Sequence, residues 1–355
     1  MNKATFTWHP DQDDVYDGDT HGSTTLNNLP FKAFAKDVGK SFTMNGDDDD
    51  TLTLSPTPFG EALWGRSVPS DSQLTEFNVN GGTFAIQPPQ GGVLAFGSVG
   101  KPQTVLLNIR GTFLTVRTDF LSQPQDGFPP ATFKLYPGGT CSISGGALFS
   151  GAFAIDVSDL GSMSVTANSI LINDGKYVTT GIANSDNPSL ELIASHSLVE
   201  PQSGELQIMR HGISCKSGSV TRLRARSISC ADTRIRGEDT ASVLIATDAI
   251  DFDNDTEFVV GHGSAVITFT GLEKNKAPFD FLKTTYPKGL FNFITSEGAN
   301  KGKFRFLNIG SAFEYNKMRN DGLITIDGVP DTRDASDWTM ENDSFGQYFV
   351  IFLRP

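Results

Sequence analysis

"ELQIMRHGISCKSGSVTRLRARSISCADTRIRGEDTASVLIATDAIDFDNDTEFVVGHGSAVITFTG", residues 205–271, is a run of short apolar pieces that alternate with polar residues and break at Gly, Asn, Asp or Ser. Each piece reads as a short strand ended by a turn. No stretch from 51 to 270 carries an apolar stripe at i, i+3, i+4 and i+7, so the crossover helices of a βαβ fold are missing. Pieces that follow one another this closely read as the sides of successive coils.

The same style holds upstream at wider spacing. "FNVNGGTFAIQP", "VLLNIRGTFLTV", "TFKLYPGGTCSISGG" and "MSVTANSILINDG" each read as two short strands with a tight turn between. Phe77, Leu107, Phe133, Met163 and Leu190 begin comparable pieces, at intervals of 30, 26, 30 and 27 residues. Irregular periods of this size point to stacked repeats. A parallel, right-handed β-helix accounts for them together, since each coil buries one side of its strands and turns on Gly, Asn or Asp. Jelly rolls and paired sandwiches need long antiparallel hairpins with strict alternation and fit less well. The expected architecture is all-β: an acidic N-terminal arm or cap over 1–50, a β-solenoid body over 51–275 and a capping region over 276–355.

Composition agrees. The 355 residues are 38% hydrophobic and 19% charged, with 27 Phe that can stack in columns inside such a body. A net charge of −13 opposes a phosphate backbone, so nucleic acid is not an expected partner. No window approaches the roughly 18 apolar residues needed to span a bilayer, so membrane insertion is not expected. The N-terminus shows no apolar signal segment. A virion or cell-surface location would therefore require a non-classical route, the alternative being the cytoplasm.

Residues 290–329, "LFNFITSEGANKGKFRFLNIGSAFEYNKMRNDGLITIDGV", resemble the terminal pattern of bacterial β-helical surface and passenger proteins, in which F-x-F, G-x-F and G-L-I-x-I-D-G pieces close the stack. Phage tail spikes and fibres share that architecture. The resemblance implies a non-enzymatic structural or adhesive surface or virion protein that assembles as a homo-oligomer or on a partner protein. The alternative is a tail-spike-like depolymerase, a glycoside hydrolase or polysaccharide lyase, on the same fold. Physically, Ser311 and Glu314 form a capping box, Phe313 and Met318 offer apolar contacts, and Gly322 suits a left-handed C-terminus, so one short helix is expected over 312–320. "QYFVIFLRP" is expected to be a buried strand.

Five arginines, Arg222, Arg224, Arg226, Arg234 and Arg236, alternate with Leu223, Ala225 and Ile235, which places them on an outward face. The expectation is a ladder that pairs with Asp251 and Asp253 about one coil later, or that binds a surface glycan or an acidic partner. Asp251 and Asp253 are also the spacing-compatible acid and base pair of the enzymatic alternative. Asp47, Asp48, Asp49 and Asp50 could gather Ca2+, although a solvated acidic turn is the preferred reading. Cys141, Cys215 and Cys230 lack metal or disulfide spacing and are expected to be buried thiols. His9, His21, His196, His211 and His262 show no HxH or HExxH spacing and are expected in surface or satisfied polar roles.

Overall fold

Gly81, Gly82, Gly111 and Gly139 explain how short strands can follow one another and yet belong to different sheets. A Cβ on Gly111 would come within 2.6 Å of the Gly82 carbonyl oxygen, and one on Gly139 within 2.2 Å of that of Ile109. Successive corners therefore lie directly against one another, and only glycine fits. A computed structural model describes residues 3–30, 34–37, 39–56, 61–66, 74–89, 91–96, 105–122, 131–158, 160–173, 179–182, 188–195, 204–210, 212–253, 255–273, 276–332, 334–344 and 346–355. Among these the chain is all-β with extensive parallel pairing, and α-helix is confined to Gly18–His21 and Ala312–Asn320.

Three sheets carry the strands. The first is wholly parallel: Asp14–Asp17, Ser41–Asn45, Thr75–Val79, Val105–Ile109, Ala131–Leu135 and Phe153–Val157 lie side by side in chain order. Another runs from Thr179–Ile182 through Gly212–Cys215, Arg234–Asp239, Glu257–Gly263 and Phe291–Phe293 to Ile324–Ile326, and an antiparallel Val329–Pro330 ends it. The largest holds the remaining strands. Across it Ser142, Ser164, Glu191, Arg222, Leu244, Thr268 and Arg305 are register partners on successive parallel strands.

The paired pieces read upstream in the sequence do not form hairpins. Thr75–Val79 and Thr83–Ile86, the two halves of "FNVNGGTFAIQP", sit in different sheets and each pairs with a strand of the next repeat. The series of starting residues also divides. Phe77, Leu107 and Phe133 are register partners, but Phe133 then meets Ile155, while Met163 lies between Cys141 and Leu190 in another sheet. Equal spacing in sequence hid a change of sheet, because the repeat shortens after Phe133.

One buried cluster extends from Phe6 to Ile351. Its aromatics sit against one another: Trp64 on Phe77 with centroids 3.8 Å apart, Phe149 on Phe153 at 4.2 Å, Phe269 on Phe306 at 5.1 Å. Each buried ring contributes roughly 1.5–3 kcal/mol. The acidic first fifty residues share this core through Phe6, Trp8, Tyr16, Phe34, Phe42 and Met44.

At the other end the helix Ala312–Asn320 occupies the expected range. The Ser311 hydroxyl accepts from the Glu314 N–H at 3.3 Å and donates to the Glu314 carboxylate at 2.9 Å, and Gly322 has φ +73. Phe313, however, is 70% exposed, and Tyr315 and Met318 make the apolar contacts. Position 315, not 313, shares the inward face with 318. The strand Gln347–Leu353 is buried over most of its length and runs antiparallel to both Lys303–Leu307 and Ser336–Asn342. It covers the edge that the parallel series would otherwise leave open.

Candidate functional site

The arginines mark two surfaces, not one. Arg222 and Arg224 lie on Val220–Arg224 in the largest sheet, with Arg226 just beyond it, whereas Arg234 and Arg236 lie on Arg234–Asp239 in the sheet that ends at Val329–Pro330. Register overturns the expected pairing with the two aspartates. Arg222 stands between Glu191 and Leu244, Arg224 between Ile193 and Ala246, and Asp251 stands beside Ser229. Asp253 is occupied elsewhere: its carboxylate accepts from the N–H of Asp232 at 2.9 Å, the N–H of Asp255 and the hydroxyl of Thr256. It holds a turn, and its partner in the D-x-D spacing is an exposed strand residue. Arg234 pairs instead with Glu257 at 2.9 Å, its register partner.

Arg222 edges a groove of about 640 Å³ across the largest sheet, with Leu244, Leu272, Arg305 and Tyr348 among its walls. Arg305 lies 4.0 Å over the Tyr348 ring and pairs with Asp343 at 3.0 Å. The acidic turn at Asp47–Asp50 is held by its own hydrogen bonds, Asp50 N–H to the Asp47 carbonyl at 2.9 Å and Asp47 N–H to the Asp50 carboxylate at 3.0 Å. Asp47 and Asp50 border a pocket of about 270 Å³ with Asp17 and Asp19.

Arg236 leads to a dense cluster of ionisable groups. The sequence "RIRGED" pairs in register through Gly237, and the register shifts before Asp239, where the single residue Glu238 faces Gly261 and His262 of the next strand, a β-bulge. Glu238 lies on the side of Arg236 and is buried, 3% exposed. Gly261 on the next strand leaves it room, since a Cβ there would lie 2.8 Å from Glu238 Cγ. A cavity of about 360 Å³ results, lined by Ser214, Lys216, Arg236, Glu238, His262 and Glu297. One guanidinium nitrogen of Arg236, Nη2, contacts the carboxylates of both Glu238 and Glu297. Lys216 Nζ stands 3.0 Å from Glu238 Oε2, and His262 Nε2 stands 2.8 Å from Asp239 Oδ1. Asp239 also accepts from the Ser217 hydroxyl at 2.9 Å.

Of the sequence candidates only Arg236 belongs to this cluster. Glu238, His262 and Glu297 carry no local motif, because strand pairing and the neighbouring loop bring together positions far apart in the chain. His9 pairs with Asp14, and the His21 ring hydrogen-bonds the backbone of Asp17. His196 and His211 lie outside the described residues. The three cysteines are free and buried, and burial pushes the Cys215 and Cys230 thiols up to about 12 and that of Cys141 further. Among the described residues no helix is long and apolar enough to cross a membrane. No family model, curated protein or solved structure matches the chain.

Proposed function

We propose that the chain winds as a right-handed parallel β-solenoid and works as a non-enzymatic structural or adhesive component of a virion or cell surface. The observation that carries this reading is the unbroken series of parallel register partners from Ser142 to Arg305, backed by an extended aromatic-rich core. Parallel strands stacked about 4.8 Å apart over such a core make a stiff body. A stiff body holds its outward side chains at fixed positions, which suits attachment or ordered assembly. Homo-oligomerisation or docking on a partner protein is part of the proposal, with Arg222 and its groove as the surface offered to an acidic partner or glycan.

The cavity at Glu238 and Glu297 gives the depolymerase reading its best case, since two carboxylates face one space there. Both contact the same guanidinium nitrogen, the arrangement of a structural ion-pair cluster. Sedimentation velocity and negative-stain imaging, with a glycan array and a reducing-end release assay on the same sample, test the choice. Regular oligomers or glycan binding without sugar release support the scaffold. Sugar release abolished by Glu238→Gln or Glu297→Gln would replace it with the enzyme.

A further inference from the structure

We propose that Glu238, His262 and Glu297 form a binding site for a divalent transition-metal ion, Zn2+ foremost, supported by Asp239 as an outer partner. A ring nitrogen of His262 and one oxygen from each glutamate lie within 4.8 Å of one another. Ligand atoms about 2.0–2.2 Å from a zinc ion are separated by at most about 4.4 Å, so a small inward closure completes the set. Imidazole with carboxylates is a donor set for Zn2+ and its neighbours; Ca2+ prefers six or more oxygens.

One buried atom lends independent support. The Nδ1 of His262 has no hydrogen-bond partner. With Nε2, 2.8 Å from Asp239 Oδ1, acting as the donor, the Nδ1 lone pair is available to a ligand. This carboxylate–histidine arrangement is the one that orients imidazoles on metals. Glu238 is fixed by burial and by the space at Gly261, whereas Glu297 is half-exposed and can adjust.

Charge points the same way. The ionisable groups lining the cavity are Lys216, Arg236, Glu238, His262 and Glu297, with Asp239 against His262. With the flexible Arg236 head turned to solvent, the carboxylates of Glu238, Glu297 and Asp239 stand against one lysine, an excess of two negative charges that a divalent cation balances. Arg236 is thus a competitor for the metal's place.

The test is isothermal titration of ZnCl2 and, separately, CaCl2 into the untagged full chain after chelator treatment, at pH 7.5. The expected result is about one Zn2+ per chain, with Ca2+ binding weaker. Glu297→Gln and His262→Ala are expected to weaken Zn2+ binding about tenfold or more, and Asp239→Asn by about 10- to 100-fold. Arg236→Met is expected to bind at least as tightly as the parent. Far-UV circular dichroism verifies folding of each variant, and the exposed Glu297→Gln provides a variant that leaves the core untouched. No saturable Zn2+ binding by the parent would overturn the proposal. So would affinity unchanged in both Glu297→Gln and His262→Ala, or lost in a folded Arg236→Met.

Discussion

Removing the carboxylate of Asp14 should cost far more than an ordinary ion pair, because its partner is the fully buried Lys36. The Lys36 ammonium uses all three protons: on Asp14 Oδ2 at 2.6 Å, on the His9 carbonyl at 2.7 Å and on the Gln12 carbonyl at 3.0 Å. It also lies 4.5 Å over the Trp8 ring. Asp14→Ala leaves a cation that is 0% exposed with two carbonyls and no counter-charge, and such losses run to about 3–5 kcal/mol. Lys36→Met is milder, about 1–3 kcal/mol, because Asp14 keeps the His9 N–H at 2.9 Å and the His9 ring at 2.9 Å. The double substitution removes charge and counter-charge together, and should cost about 0.5–3 kcal/mol less than the sum.

The pH dependence has a definite sign. Burial pushes the Lys36 amine below its ordinary value, against the pull of Asp14. Without Asp14 the folded-state value falls further below the unfolded 10.5. The destabilisation is therefore fully present below the folded value and relieved as pH rises from there towards 10.5. Urea unfolding followed by tryptophan emission, at pH 7 and pH 9.5, reads both quantities. Additive losses below about 1 kcal/mol, with no recovery in Asp14→Ala at the higher pH, would refute the reasoning.

Phe133 is fully buried between Leu107 and Ile155; Phe133→Ala should cost about 3–5 kcal/mol in urea midpoint analysis, and Phe133→Leu much less. Cys141, Cys215 and Cys230 should resist a disulfide reagent at pH 8 in the folded chain and react together on unfolding. Burial pushes the Asp331 carboxyl up, but hydrogen bonds from Ser336 and Ala335 and the charge of Arg319 outweigh it and hold it below its ordinary value. Its stabilisation is present above the unfolded value near 3.9 and lost as pH falls through the folded one. Asp331→Asn should therefore lower the melting temperature at pH 6 and flatten its decline between pH 5 and 2.

Local chemistry was legible in the sequence, and long-range register was not. Ser311 and Glu314 announce a helix start because the cap is made within four residues. The all-β reading follows from alternation, and the turns from glycine. Which strand lies beside which depends on repeat lengths that vary, so the arginines seemed to form one ladder when a turn between Arg226 and Arg234 moves the chain to another sheet. Asp251 and Asp253 show the reverse error: a suggestive spacing whose second member caps a turn. Alternation does put Glu238 on the side of Arg236, where the structure has it; its burial was hidden because Lys216, His262 and Glu297, which share its cavity, come from distant segments of the chain. His262 and Glu297 join it through strand pairing and a loop contact that no motif records.

Pulsed electron–electron resonance between spin labels at Ser142 and Leu244, and at Ser142 and Arg305, tests the stacking of strands most directly. Leu244 is four strands on from Ser142 and Arg305 six, along one line of register partners. At about 4.8 Å per strand the backbone separations are about 19 Å and 29 Å. A difference near 10 Å between the two pairs is the predicted result. Equal separations, or a shorter one for Arg305, would contradict the stack.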